Sequence, residues 1–256
     1  MTNPRRVRRA TLTSQSEGAL RQDIIQGVFA PGQRLTSMEL AERYDVSATP
    51  LREALQRLAA ENLVEIDPRL GVTVAPISRS HLQDTYRMLE LLQAAALRDS
   101  IMHGDATWES NLRTLFGEFQ IAVALSQNSE GEGPPGWAKA HRAFHDGLIA
   151  ACDSYWLKSM LSTLTAHSER YRILSARTGV RDPIGEHASI FAAAVARDVD
   201  GAVEAIRVHL RRTVDVLERS ILGIEGEESP AILTADQPPA GTQAKAEKLS
   251  DETQRA

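Results

Sequence analysis

Apolar residues recur at helical spacing along most of this chain, with one early interruption. Leu20, Ile24, Ile25 and Val28 define a first amphipathic helix over residues 14–29, ended by Ala30-Pro31-Gly32. Thr36-Ser37-Met38-Glu39 is a capping-box pattern and opens a short second helix through Arg43. Asp45 turns into a third, where Ser47 or Thr49 can cap and Pro50 falls in the first turn, the place where a missing N–H costs least. Leu51, Ala54, Leu55, Leu58 and Ala59 form one buried face of that helix, and Ala48, Arg52 and Gln56 line the opposite one. The interruption follows. Leu63-Val64-Glu65-Ile66 and Gly71-Val72-Thr73-Val74 are short β-branched runs around Asp67-Pro68-Arg69, which is the composition of a hairpin.

Ala75-Pro76-Ile77-Ser78 marks a boundary, after which no strand signal returns. Ser78 caps a helix over about residues 79–103, with Leu82, Tyr86, Leu89, Ala96 and Leu97 inward. Gly104-Asp105 breaks it, and five more helices follow near 106–126, 137–151, 154–177, 184–197 and 199–222, with NSEGEGPPG (128–136) as a loop. The pattern predicts a mainly α protein: a helix-turn-helix unit with a β-hairpin wing over 14–76, then an all-α bundle of about six helices over 77–222. Residues 1–13 are expected to be a disordered basic arm. From Gly223 onward Glu, Pro, Ala, Gln and Lys dominate, the composition of a disordered tail.

Totals change this picture at four points. At 256 residues and 42% hydrophobic content the chain can build two modest cores. The single cysteine, Cys152, excludes an intramolecular disulfide framework and fits a reducing cytoplasm; its neighbours Leu148, Ile149 and Ala151 make it a packing thiol. No apolar run reaches the length of a membrane span, so no membrane partner is expected. The net charge of −5 divides unevenly: residues 1–76 carry ten Arg against nine acidic residues, and the remainder 19 basic against 25 acidic. Four of the ten are in Arg5-Arg6-Val7-Arg8-Arg9, which could reach phosphates or be a solvated terminus.

A short helix with an arginine-bearing outer face, preceded by another short helix, is the layout of a major-groove reader. By periodicity alone an ordinary helical hairpin in a core weighs equally. The segment Asp45-Val46-Ser47-Ala48-Thr49-Pro50-Leu51-Arg52-Glu53-Ala54-Leu55 resembles the "GVSRTPVREAL" signature of GntR-type winged-helix transcription regulators, and residues 25–35, IQGVFAPGQRL, resemble the segment preceding it in that family. The resemblance implies binding to double-stranded DNA, for which Ser47, Thr49, Arg52, Gln56, Arg34 and Gly71 are the candidate contacts, and the small size of one reader calls for two on a short inverted repeat. Two positions depart from the pattern: Ala48 stands where the family usually has Arg, and Met38 where an Arg commonly opens the second helix. Arginine is the usual bidentate reader of guanine, so a different operator sequence is expected.

Four of the seven histidines fall on inward stripes of the second half. His141 and His145 share a face with Phe144, Leu148 and Ile149; His187 leads Ile190, Phe191 and Ala194; His209 sits among Val203, Ile206, Leu210 and Val214. Each alone reads as a satisfied core histidine, but burying four imidazoles unpaired is costly, and one shared metal would satisfy them together. Their order is similar to the metal-binding pattern of the FCD domain, the helical effector domain of the FadR branch of GntR regulators. That pattern has Asp-x-x-x-His on the first helix and single His on the last two. The resemblance implies a divalent metal at His145, His187 and His209, with His141 in place of the aspartate. An all-imidazole set is neutral, leans toward Zn or Ni (or Cu) over Mn, and leaves the ion's charge to attract a small carboxylate. The resemblance also offers Arg87 for that carboxylate, with an exposed charge beside Glu90 as the alternative, and His167 could line the same cavity or simply pack.

The expectation is a ligand-responsive, homodimeric transcription repressor of the cytoplasm, associated with the nucleoid when bound to DNA. A metal-dependent hydrolase needs a positioned general base. Glu186 and Asp146 adjoin His187 and His145, but neighbours in a helix point about 100° apart. There is no HExxH segment. A metal-stabilised scaffold without ligand is the third reading.

Overall fold

The computed structural model describes residues 12–127, 136–175 and 183–225. The basic arm at Arg5–Arg9, most of the 128–136 loop and the tail from 226 lie outside them.

The first unit is built from α1 (Leu12–Ile25), β1 (Arg34–Leu35), α2 (Ser37–Tyr44), α3 (Ala48–Ala60), β2 (Val64–Asp67) and β3 (Gly71–Val74). Leu20, Ile24, Leu40, Leu51, Leu58 and Leu63 are its fully buried centre. α1 ends earlier than its apolar pattern indicates. Gly27, at φ +73°, turns the chain out of the helix, so Val28 is exposed while Phe29 buries itself from the loop. Thr36 caps α2 through Glu39 N–H at 3.3 Å, and its hydroxyl donates to the Glu39 carboxylate at 3.1 Å, so the second half of the expected capping box is made side chain to side chain. Asp45, in the left-handed region at φ 49°, closes α2 and starts the turn into α3. β2 and β3 form the antiparallel wing hairpin, closed by Asp67 Oδ1 accepting from the N–H groups of Arg69 (2.6 Å) and Leu70 (2.8 Å). The sheet has a third strand that alternation does not reveal: β1 pairs with β3, Arg34 opposite Thr73, in the order β1-β3-β2.

The second unit contains α4 (Arg79–His103), α5 (Ala106–Gln127), α6 (Trp137–Leu148), α7 (Tyr155–Ser175), α8 (Pro183–Val195) and α9 (Val199–Glu225). α4 packs on α7 and α9, α5 on α6 and α8, and α8 on α9, enclosing a second core that runs from Ile77 to Leu217. Ser78 caps α4 through His81 N–H. The approach of α5 to α6 is close: a Cβ at Gly147 would stand 2.5 Å from Leu115 Cδ1. That contact and Trp108 Nε1 donating to Gly147 O (2.9 Å) fix α6, the helix that carries two of the histidines.

Candidate functional site

On α3 the apolar stripe is consumed by the core, which leaves Ser47, Ala48, Thr49, Arg52 and Gln56 exposed. Ser47 occupies the N-cap position without a side-chain capping bond. Arg34 is exposed on β1 beside the wing, and its guanidinium lies over Gly71, whose φ of +90° starts β3. Gly71 is only half-exposed.

In the helical unit His141 and His145 of α6, His187 of α8 and His209 of α9 converge, with one ligand nitrogen from each within 4.8 Å of all the others. All four are buried. His145 Nε2 and His187 Nε2 are 3.2 Å apart, and Phe119 and Phe144 pack against the rings at centroid distances of 4.5–5.8 Å. Four nitrogens this close together would hold a single small cation between them.

Three supporting side chains are not evident from the histidine pattern. Glu186 Oε2 accepts from His209 Nδ1 at 3.0 Å, which puts the ring proton on Nδ1 and leaves Nε2 as the acceptor. The Gln93 amide nitrogen is 3.1 Å from His145 Nδ1. Arg172 Nη1 donates to His141 Nδ1 at 3.0 Å, with its guanidinium over Trp137 at 4.8 Å. Burial, then the Arg172 charge and the neighbouring imidazoles, hold the His141 pKa well below its usual value, so this ring is neutral at neutral pH. A buried set of four imidazoles with a carboxylate behind one ring fits a divalent transition metal.

Glu186 thus faces His209 across the α8–α9 contact, where it braces an imidazole. Two expected effector residues lie elsewhere. Arg87 is exposed on α4; six residues separate it from Gln93, which puts the two about 120° apart around the helix. His167 is buried but faces the first unit. Its Nε2 donates to Glu61 O, at the end of α3, at 2.7 Å, and its ring meets His81 edge-on at 5.2 Å.

His167 belongs to a seam between the two units. Arg170, also on α7 and buried, donates to Ala75 O. Tyr171 Oη donates to Ser78 O (3.2 Å) and contacts His81 Nδ1 (2.7 Å). Arg21 pairs with Glu61 at 2.8 Å. Seen from the sequence, His81 is only a helix-end histidine; its role depends on α7 crossing the linker.

Comparison with known proteins matches residues 12–74 to the model of bacterial regulatory proteins of the gntR family, and 84–212 to that of the FCD domain. The chain is 34% identical over 202 residues to the uncharacterised HTH-type transcriptional regulator BphR of Paraburkholderia xenovorans (strain LB400), covering 78% of this chain and 82% of that protein. It is 31% identical over 213 residues to the HTH-type transcriptional repressor GlaR of Escherichia coli (strain K12), covering 80% and 94%. The structure of E. coli McbR/YncC superposes with a TM-score of 0.72 at 22% identity over 83% of this chain and 100% of that one, a likeness of fold.

Proposed function

Because the chain belongs to the gntR family of bacterial regulatory proteins and carries an FCD domain, we propose that this transcription regulator is a metal-containing repressor released from its operator by a small carboxylate. The supporting observation is the convergence of four buried imidazoles from three helices. His141, His145, His187 and His209 would hold the ion, and zinc or nickel suits such nitrogen donors. The ion would supply a positive centre for an anionic effector. Glu186 orients His209, Gln93 orients His145, and the phenyl rings of Phe119 and Phe144 keep water from the rings they cover. A repressor function agrees with the name of the GlaR relative.

On the DNA side, Arg52 and Gln56 would read base edges, Ser47 and Thr49 would bond phosphates or base edges, and Arg34 with the wing around Gly71 would reach the flanking backbone. One reader of this size contacts few base pairs, so we propose a homodimer on a short inverted repeat. No described helix is long and apolar enough to cross a membrane, and a DNA-bound regulator would work in the cytoplasm.

The test has two arms. Selection from a random DNA pool should return an inverted repeat, and operator binding followed against a panel of small mono- and dicarboxylates should show release by one class. Metal analysis of purified protein should find about one zinc or nickel per chain, with loss of thermal stability on chelation. Protein without stoichiometric metal, whose melting ignores chelator and added metal, would reduce the four residues to packed histidines.

A further inference from the structure

Arg172 makes a contact that is incompatible with His141 acting as a ligand. A guanidinium has only N–H donors and keeps its proton, so at 3.0 Å it must donate to His141 Nδ1. A neutral imidazole has one N–H and one lone pair. With Nδ1 accepting from Arg172, the lone pair is used and the proton sits on Nε2. If Nδ1 is the nitrogen meant for the metal, its lone pair is occupied; if Nε2 is, it carries a hydrogen. In either geometry His141 ligates a metal only after Arg172 lets go. Glu186 leaves His209 Nε2 as an acceptor, a turned Gln93 amide offers oxygen to His145 Nδ1, and the 3.2 Å contact between His145 Nε2 and His187 Nε2 is one that an ion entering between them replaces, whereas a guanidinium can only donate.

Arg172 also packs on the aromatic wall of the cluster. Its guanidinium lies on Trp137, and the indole stacks on the His141 ring at 5.1 Å, so the cation occupies a slot formed by one aromatic face and one ring edge. The residue is half-buried, open enough to meet a solute. A carboxylate is a stronger acceptor for a guanidinium than an imidazole nitrogen, since the bond becomes charge-assisted and can be bidentate. The position of His141 is the one at which the family pattern has an aspartate, so the competition is a property of this chain's own residue pair.

We propose that Arg172 is a gate on His141: metal and Arg172 compete for this imidazole, and a small carboxylate that draws Arg172 away admits His141 to the ligand set, so that anion and metal bind with mutual reinforcement. This rests on the metal reading above. The anion's effect is reciprocal by linkage, with the metal tightening the anion by the same factor. It also defines the anion-binding group: Arg172, in place of the exposed Arg87.

The test uses the full-length protein, Co2+ as the probe metal, followed by its visible absorption and by equilibrium dialysis, and acetate as the probe anion at constant ionic strength. Acetate should tighten Co2+ binding to the wild type. Arg172→Met should bind Co2+ about tenfold tighter without acetate, the size of coupling usual for residues in direct contact, and should gain less from acetate than the wild type does. In a His141→Ala background the Arg172→Met gain should vanish. A gain of the same size in both backgrounds overturns the gate, because the effect is then charge repulsion alone; unchanged Co2+ affinity in Arg172→Met overturns it as well. Long-range 1H–15N spectra of the metal-free wild type give a reading independent of any variant's folding: His141 should be the Nε2–H tautomer, and an Nδ1–H signal refutes the premise. Wild-type protein that binds no Co2+ in either assay removes the metal reading itself, and the gate falls with it.

Discussion

Glu186→Gln is the sharpest perturbation of the histidine cluster that leaves its shape intact. The glutamate side chain is 9% exposed and its Oε2 lies 3.0 Å from His209 Nδ1, so it fixes the tautomer and makes Nε2 more basic. Glutamine keeps an oxygen in place and can still accept that N–H; what is lost is the charge. Removing such a partner outright costs 10–100-fold in metal affinity. Two features move this variant to the lower end. The geometry survives, and Arg212 Nη1, 3.7 Å from Oε1, already offsets part of the carboxylate charge. The expected loss is about tenfold, or about 1.4 kcal/mol. Zn2+ affinity measured by competition with a chromophoric chelator reads it directly, with the exposed Glu204→Gln as control. Metal-free stability should change little, since glutamine keeps an oxygen that accepts the His209 N–H. Unchanged zinc affinity in Glu186→Gln, with normal folding, would refute the claim that this carboxylate supports a ligand.

Arg52→Ala should cost about 1–3 kcal/mol of specific binding to the selected operator, with nonspecific binding less affected, as fluorescence anisotropy can show; wild-type affinity removes Arg52 as a reader. Burial lowers the pKa of His167 and of His81 from 6.5, with nearby Arg170 adding to both. The unfolded chain therefore takes up protons that the folded one does not. Stability should be full above about pH 6.5 and be lost as pH falls below it. Urea unfolding of chelated protein from about pH 8 to pH 5 checks this, and a pH slope unchanged in His167→Asn denies His167 its part. Phe144 is fully buried beside Phe116, Phe119, His145 and His187, so Phe144→Ala should cost about 3–5 kcal/mol. A calorimetric fall in Tm of less than about 5 °C would mean that this core collapses onto the gap.

The helices were legible because a buried stripe forces 3.6-residue periodicity, and the four histidines stood out because imidazoles on such stripes demand partners. The same logic applies to Gln93, a polar residue in register with Leu89 and Leu97, and to Glu186, one turn before Ile190; both could be found by asking which polar residues sit on apolar faces. Other features had no local signal. The apolar rhythm of α1 runs on through Val28 and Phe29, yet the helix stops, because Gly27 adopts a left-handed φ and Phe29 still reaches the core from the loop. β1 is two residues long, too short to alternate, and exists because β3 offers it an edge. Arg172 and His81 acquire their roles only where α7 crosses α6 and the linker. That is tertiary information that spacing within one helix does not contain.

α7 is one element through which the proposed link between effector and DNA would act, because it carries contacts to both ends. Arg172 reaches the histidine cluster, while His167, Arg170 and Tyr171, within five residues of it, bond the backbone carbonyls of Glu61, Ala75 and Ser78. A ligand can shift DNA affinity only by as much as it prefers one arrangement of this seam over another. A hundredfold release from the operator corresponds to about 2.7 kcal/mol of coupling, and each hydrogen bond to the linker is worth about 1 kcal/mol net. Two or three such bonds, made in one state and exchanged for water in another, therefore cover the whole effect. No large rearrangement of either core is required. Their acceptors are carbonyls, so the interaction fixes the direction of the linker and hence the angle at which α3 is presented. In the proposed homodimer on an inverted repeat, two readers would amplify that angle, because both must fit the groove at once.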